Sequence, residues 1–191
     1  MTDELIVLIL AAGQGTRFSA SGGAGAKVHA RLGEQTLLEH TQHAVNLAGL
    51  KAFVVHPQGA LTQGMGDSIA YGVDATQNAG GWLILPADMP SVQPATIRAV
   101  ALHLLNHPQV LAVAPYYQGR RGHPVAFAAA CREALQALKG DSGARSLLQS
   151  LYQQQQVLDL PVEDSGIHLD IDTLDALKQA QRQLKQPHLI N

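Results

Sequence analysis

The stretch that decides the fold is LIVLILAAGQGTRF, residues 5–18. It opens with six unbroken aliphatic residues and closes on a turn that holds two glycines and a cation, Arg17. Short, continuous apolar runs bounded by turn residues are typical of strands that are buried on both faces. We therefore predict a buried strand over residues 5–11 that passes directly into a glycine turn.

Strand-like and helix-like segments alternate along the rest of the chain. Apolar runs predict further strands over residues 51–57, 81–90 (ending in a proline-bracketed turn), 109–117, 157–162 and the start of 124–140. Helical spacing of apolar residues predicts helices over residues 36–49, 67–76, 94–108, the later part of 124–140, 142–156 and 172–186. Such alternation indicates a parallel sheet covered by helices on both faces. We predict a three-layer α/β/α, Rossmann-like fold with a mostly parallel central sheet, in a single domain over residues 1–191.

The composition excludes several classes of protein. A net charge of −2 provides no basic surface for nonspecific nucleic-acid binding. No apolar stretch approaches the ~20 residues of a membrane span, and no basic segment precedes the first apolar run, as it would in a signal peptide. The single cysteine, Cys131, excludes an internal disulfide, and its helical surroundings predict a small core residue. We expect a cytoplasmic protein without nucleic-acid or membrane partners.

The glycine turn differs from both familiar phosphate-binding loops. A P-loop needs four residues between its glycines and then Gly-Lys-Ser/Thr, whereas only Gln14 separates Gly13 from Gly15. The dinucleotide-binding fingerprint needs a third glycine at the position that Phe18 occupies. The turn therefore belongs to a different kind of site.

Small residues and cations around the turn suit an anion nonetheless. They are Ala11, Ala12, Gly13, Gly15 and Arg17, and the glycine-rich loop SASGGAGAK (19–27) adds Lys27. Small side chains let a base or phosphate approach backbone N–H groups, and a lysine on a mobile loop can close over a triphosphate. The alternatives are an ordinary tight turn with a surface arginine, and a surface loop with a solvated lysine.

Acidic residues in two other segments suit a divalent metal. Asp88 follows the predicted strand within LPADMP, and Mg²⁺ typically takes one or two protein carboxylates plus phosphate oxygens. Asp170 and Asp172 in HLDIDTLDAL point to the same face if this segment is extended. The alternatives are an Asx turn at Asp88 and a helix cap at Asp172 or Thr173.

Two further turn-rich segments suit a second, phosphate-bearing substrate. GRRGHP (119–124) carries Arg120, Arg121 and His123, and the histidine is either a general base or a hydrogen-bonding turn residue. GDSGAR (140–145) is predicted to end one helix at Gly140 and to start the next at Asp141 or Ser142. Arg145 either faces the cleft that would hold this substrate or belongs only to the cap between the two helices.

Taken in this order, six motifs resemble those of the MobA/MocA-like nucleotidyltransferases, and most closely those of molybdenum cofactor cytidylyltransferases. They are LAAGQGTRF with the later lysine, QGMGDSIAYGV, LPADMP, GRRGHPVAF, LKGDSGARSLL and DIDTLDAL. The resemblance spans residues 5 to about 178. It implies a three-layer nucleotidyltransferase fold that uses Mg²⁺ and a nucleoside triphosphate.

The resemblance also implies a role for each motif. The triphosphate would be held by Ala11, Ala12, Gly13, Gly15, Arg17 and Lys27. Gly64, Asp67 and Ser68 would lie near the base and ribose, and Asp88 would bind Mg²⁺ with Asp170 or Asp172. A pterin substrate would face Arg120, Arg121, His123, Asp141 and Arg145. The sequence LAAG is similar to the cytidine-using branch of the family.

The resulting hypothesis is an enzyme that transfers CMP from CTP to molybdenum cofactor, with Arg17, Lys27 and Asp88 as its catalytic residues. One alternative is a nucleotidyltransferase for a sugar phosphate or another small phosphate. The other is a chaperone that carries molybdenum cofactor to a molybdoenzyme without chemistry. Release of pyrophosphate would distinguish the enzyme from this chaperone, which would release none.

Overall fold

A seven-stranded sheet runs through the protein, in a computed structural model that describes residues 4–185. The strands are β1 Leu5–Leu10, β2 Arg31–Leu32, β3 Gln35–Thr36, β4 Lys51–Val55, β5 Gly81–Pro86, β6 Ala112–Tyr117, β7 Arg120–Arg121, β8 Val125–Ala128 and β9 Val157–Pro161. The α-helices are α1 Thr16–Ala20, α2 Leu37–Leu47, α3 Met65–Ala75, α4 Pro94–Asn106, α5 Arg132–Gln136, α6 Arg145–Gln153 and α7 Leu174–Lys185. The large sheet has the order β4-β1-β5-β8-β6-β7, with β9 also paired to β6, and β2 pairs with β3 separately.

Five of the seven strands in the large sheet run in the same direction, as predicted, and β7 and β8 run in the opposite one. β1 pairs in parallel with β4 and β5, and β6 pairs in parallel with β9. β8 lies antiparallel between β5 and β6, which the sequence did not indicate. The reversal follows from the short connection over residues 118–124, because a parallel crossover needs a dozen or more residues. β1, β5 and β6 consequently end at the same edge of the sheet.

Helices cover both faces of the sheet, which confirms the three layers. Val7 and Ile9 point into one core with α2 and α4, while Leu8 between them points into the other with α3, α5 and α6. This alternation follows from the period of two along a strand. Because both faces are buried, β1 needs its continuous aliphatic run.

Two helix starts differ from the predicted positions. The prediction placed Asp67 and Ser68 at the start of α3, but the helix begins at Met65. The prediction that α6 starts at Asp141 or Ser142 is also wrong, because α6 begins at Arg145. Gly140 and Gly143 both have positive φ, at 67° and 56°, which interrupts helical geometry between α5 and α6.

The predicted last helix over residues 172–186 is observed as α7 Leu174–Lys185, and Gln186 lies outside the described residues. Within residues 4–185, no helix combines the length and the apolar character that crossing a bilayer requires.

Candidate active site

The glycine turn is tightly packed against the end of the sheet. Ala11 and Ala12 are buried directly after β1, and the N–H of Ala11 donates to the carbonyl of Val55 at 3.0 Å. Gly15 has a φ of 60°, in the left-handed region that glycine adopts without strain. A Cβ at Gly15 would lie 3.0 Å from the Cβ of Lys27, so this glycine also makes room for the lysine.

Phe18 anchors the loop that follows the turn. Its ring is 2% exposed and packs in a small core with Ile171 and Leu177. Gly23 lies against the same ring, since a Cβ there would come within 2.2 Å of it. The residue that stands in place of a third glycine therefore fixes the loop against the C-terminal part of the chain.

Asp88 lies just beyond β5 with one carboxylate oxygen paired and one unpaired. Oδ2 accepts a hydrogen bond from Nζ of Lys27 at 2.5 Å. Oδ1 is buried and has no hydrogen-bond partner within the described structure. The alternative of an Asx turn is wrong, because neither oxygen accepts from the backbone of the turn. A buried oxygen without a partner is costly unless a ligand satisfies it.

Asp172 faces the same cluster. The N–H of Ile171 donates to the carbonyl of Asp88 at 2.9 Å, which holds the two acidic segments side by side. Asp172 accepts from Lys27 at Oδ1 (2.6 Å) and from Arg17 at Oδ2 (2.9 Å). Thr173 caps α7 through the N–H of Ala176, at 3.2 Å. Of the two proposed caps, Thr173 is the one used, and Asp172 is left to bind the two cations.

The charges in this cluster perturb one another. Burial alone would lower the pKa of Lys27, but Asp88 and Asp172 outweigh it and raise the pKa. Burial would raise the pKa of Asp172, but hydrogen bonds and charge from Lys27, assisted by Arg17, lower it. The pKa of Asp170 is raised, first by burial and then by the carboxylates of Asp172 and Asp88. Asp88 and Asp172 thus share the two cations, and Asp170 adds a third carboxyl group beside them, which leaves the cluster receptive to a further positive charge.

The arrangement fits a magnesium ion that shares its ligands with a nucleotide. No group of three His, Cys, Asp or Glu side chains in residues 4–185 is placed to enclose a metal alone. Mg²⁺ rarely needs such a group, because it keeps waters and takes phosphate oxygens beside one or two carboxylates. The unpaired Oδ1 of Asp88 is a suitable ligand, and Asp172 and Asp170 are its acidic neighbours.

The N-terminus of α3 is joined to the loop before α6. Oδ2 of Asp67 accepts from the N–H groups of both Gly64 (2.9 Å) and Gly140 (3.1 Å). The Ser68 hydroxyl is buried and donates to the carbonyl of Gly64 at 2.9 Å. An acidic residue three positions after a glycine could have signalled this cap from the sequence. The nucleotide contacts predicted for Gly64, Asp67 and Ser68 remain predictions.

Arg121 takes part in a second cluster of charges, at the far edge of the sheet. It donates to both oxygens of Asp159 on β9, at 2.6 and 2.9 Å, and these bonds raise its pKa. Its guanidinium lies 4.1 Å from the centre of the Tyr152 ring, and the Tyr152 hydroxyl donates to Asp159 at 3.1 Å. Arg120 is exposed on the same short strand.

His123 lies in the interior beside β5. Its Nδ1 donates to the carbonyl of Ile84 at 3.3 Å, and burial lowers its pKa. The charges of Asp88 and Asp170 oppose this shift, which places the ring in the same electrostatic environment as the acidic cluster. The hydrogen bond favours the turn-residue interpretation over the general base.

An open pocket of about 410 Å³ separates α6 from β7. It is lined by Arg121, Arg145, Leu148, Gln149, Tyr152 and Gln153. The pocket brings together two of the arginines predicted to face the second substrate, while Asp141 is exposed in the loop before α6. The other lining residues were missed, although their spacing from Arg145 marks one face of a helix.

Comparisons with known proteins give a family match and a curated relative. Residues 7–157 match the MobA-like NTP transferase domain. Purine catabolism protein PucB of Bacillus subtilis (strain 168) is 31% identical over 164 residues, which cover 80% of this chain and 77% of PucB. The family match over residues 7–157 includes the glycine turn, Lys27 and Asp88, and it ends before Asp172.

Solved structures share the fold at lower identity. A nucleotidyl transferase from Methanothermobacter thermautotroptrophicus superposes with a TM-score of 0.78 at 20% identity, over 95% of this chain and 98% of that one. Rv0371c from Mycobacterium tuberculosis, in complex with manganese, gives a TM-score of 0.72 at 21% identity, over 95% of this chain and all of the other. The family and the fold are those of nucleotidyltransferases. This chain belongs to the MobA-like NTP transferase family.

Proposed function

We propose that this protein is a Mg²⁺-dependent cytidylyltransferase of the cytoplasm, which transfers CMP from CTP to the terminal phosphate of molybdenum cofactor. The observation that carries the proposal is the convergence of Arg17, Lys27, Asp88 and Asp172 beside the glycine turn. Two cations and at least two carboxylates at the carboxyl end of parallel strands suit a metal-bound triphosphate. The product would serve a molybdoenzyme.

The turn would hold the nucleotide with its backbone and its cations. Gly13 is exposed, so its N–H can approach a phosphate without a side chain in between. Arg17, whose side chain is 80% exposed, can bind phosphate oxygens without losing buried contacts. Asp88 and Asp172 would hold Mg²⁺, with Asp170 beside them, and the bound ion supplies neutralisation of phosphate charge.

The chemistry requires positioning rather than a strong base. The terminal phosphate of the acceptor is largely ionised near neutral pH, because its second pKa is about 6. One of its oxygens forms a bond to the α-phosphorus of CTP, and the bond from that phosphorus to the β-phosphate oxygen breaks, which releases pyrophosphate. Arg17 and Lys27 would stabilise the charge that develops on the phosphates during this transfer.

The pocket between α6 and β7 is the candidate site for the acceptor. β9, which carries Asp159, lies three strand positions from β5, or roughly 14 Å at the usual strand spacing. An acceptor of the size of a pterin phosphate can span this distance. Arg145 is exposed, and we infer that it is available to an anionic group. Arg121 would present a guanidinium already fixed by Asp159.

The names of relatives bear on the metal and leave the acceptor open. The 31% identical PucB is named for purine catabolism, and the structure of Rv0371c was solved with manganese. We propose that this chain requires a divalent metal because, among the described residues, a buried oxygen of Asp88 has no hydrogen-bond partner. CTP is preferred on the motif LAAG, which follows the resemblance described above.

A panel of substrates tests the proposal. CTP, UTP, GTP and ATP are each supplied with Mg²⁺ and either molybdenum cofactor or a sugar 1-phosphate, and pyrophosphate release is measured. We expect release only with CTP and molybdenum cofactor. Turnover of the sugar phosphate alone would replace the acceptor, turnover with GTP alone would replace the nucleotide, and cofactor binding with no release would indicate a chaperone.

A further inference from the structure

The ammonium of Lys27 lies between the two carboxylates assigned to the metal. Nζ is 2.5 Å from Oδ2 of Asp88 and 2.6 Å from Oδ1 of Asp172, and the lysine side chain is only 11% exposed. Magnesium would lie about 2.0–2.1 Å from each carboxylate oxygen that it binds. An ion shared by these two oxygens would therefore occupy the same volume as the ammonium.

We propose that Lys27 acts as an internal counter-cation, which blocks the metal position in the nucleotide-free enzyme and leaves it when a triphosphate binds. The inference rests on the metal site of the proposed function. A divalent ion and an ammonium cannot share two carboxylates without strong repulsion in a largely buried site. Free metal would thus bind weakly, and nucleotide would strengthen it.

The surroundings of Lys27 allow the side chain to move. The lysine follows a glycine-rich loop, and its Cβ rests against Gly15. A phosphate at the backbone of Gly13 or Gly15 would give the ammonium a third anionic partner close to its present position. Asp172 would keep the hydrogen bond from Arg17 to its other oxygen after the lysine leaves. The displacement therefore needs no rearrangement of the sheet.

The two carboxylate oxygens of Asp88 differ in a way that would allow a metal to replace the Lys27 ammonium stepwise. Its Oδ1 is buried and has no hydrogen-bond partner in residues 4–185, while Oδ2 accepts a hydrogen bond from Lys27. Oδ1 would therefore be open to a metal that accompanies the triphosphate while the ammonium of Lys27 is still in place. Transfer of Lys27 to the phosphates then frees Oδ2 and Asp172. Because coupling is reciprocal, metal and nucleotide must strengthen each other's binding by the same factor.

Titration with Mn²⁺ tests the inference without any turnover. Free Mn²⁺ is followed by electron paramagnetic resonance, with and without a CTP analogue whose α,β-bridge cannot be cleaved. Wild type is compared with Lys27→Met, which removes the charge at similar length, and with Lys27→Gln. Lys51→Gln is the matched control, since Lys51, the first residue of β4, also forms an ion pair, with Glu4 at 3.0 Å.

We expect Lys27→Met and Lys27→Gln to bind Mn²⁺ without nucleotide about 10-fold more tightly than wild type, within the usual range of coupling between sites. The analogue should raise Mn²⁺ affinity strongly in wild type and in Lys51→Gln, and only weakly in the Lys27 variants. Circular dichroism confirms that each variant is folded.

Equal Mn²⁺ affinity in wild type and folded Lys27 variants would overturn the inference, as would an undiminished effect of nucleotide in those variants. Absence of Mn²⁺ binding to every form would overturn both the inference and the metal assignment. Failure of CTP turnover with molybdenum cofactor, together with the expected Mn²⁺ results, would reject only the proposed reaction.

Discussion

Two clusters of charged residues differ in how completely their groups are paired. In the Lys27 cluster (Arg17, Lys27, Asp88 and Asp172), a buried oxygen of Asp88 lacks a hydrogen-bond partner in the part of the chain that the structure describes. In the Arg121 cluster (Arg121, Tyr152 and Asp159), both carboxylate oxygens accept hydrogen bonds and the guanidinium rests on an aromatic ring.

The Lys27 cluster therefore contains a polar group that a bound ligand could satisfy, whereas the polar groups of the Arg121 cluster already satisfy one another. Unpaired buried groups lower stability, and proteins keep them where a ligand will satisfy them. A fully paired cluster that is about one-third exposed contributes modestly to stability and changes little on binding. We therefore expect substitutions in the Lys27 cluster to affect turnover and those in the Arg121 cluster to affect stability and the acceptor.

The largest expected effect is that of Asp88→Asn. Turnover, followed as pyrophosphate release, should fall by about 10²–10³-fold, because a neutral amide is a poor metal ligand and leaves Lys27 without one of its partners. The thermal midpoint should stay within a few degrees of wild type. Asp74→Asn, an exposed site on α3, is the matched control. Normal turnover in Asp88→Asn would remove the metal assignment.

A smaller effect is expected for Arg145→Ala. The KM for molybdenum cofactor should rise about 10-fold, since a charge-assisted hydrogen bond contributes about 1.5–3 kcal/mol, while the KM for CTP should not change. Arg182→Ala, at an exposed position on α7, provides the control. A parallel rise in both KM values would argue against a separate acceptor pocket.

The smallest effect is expected at Asp159, and Cys131 can report it. Cys131 is 3% exposed, and burial raises its thiol pKa to about 11, so a thiol reagent should modify it slowly at pH 8. Its core includes Leu151 of α6, the neighbour of Tyr152. Asp159→Asn should cost about 1 kcal/mol and raise the labelling rate roughly 5-fold. An equal acceleration in Asp88→Asn would contradict the contrast between the clusters.

The sequence predicted the edge of the sheet where the Lys27 cluster forms, because the carboxyl ends of parallel strands meet there. It also identified Lys27, Asp88 and Asp172 as partners of one site. It could not predict that the lysine bridges both carboxylates. That contact depends on the packing of Phe18 and Gly23, which positions a loop whose own sequence is compatible with many conformations.

The Arg121 cluster was not predicted at all. Arg121 and Asp159 are separated by 38 positions in the sequence. Their meeting depends on β7 and β9 both pairing with β6, on a sheet edge that the antiparallel β8 shifts outward. No local pattern encodes such an order of strands. The motif predicted Arg121 as a substrate residue, but its contacts with Asp159 and Tyr152 could be identified only in the structure.

A single carboxylate oxygen, Oδ2 of Asp67, connects two segments that are distant in the sequence. Oδ2 of Asp67 holds the N–H of Gly64, at the start of α3, and the N–H of Gly140, in the loop that leads to α6. If Gly64 contacts the nucleotide and Arg145 the acceptor, as proposed, this one oxygen lies between the segments that bind the two substrates. A shift of either segment would then strain a hydrogen bond to the other, so binding of one substrate would alter the segment that binds the second.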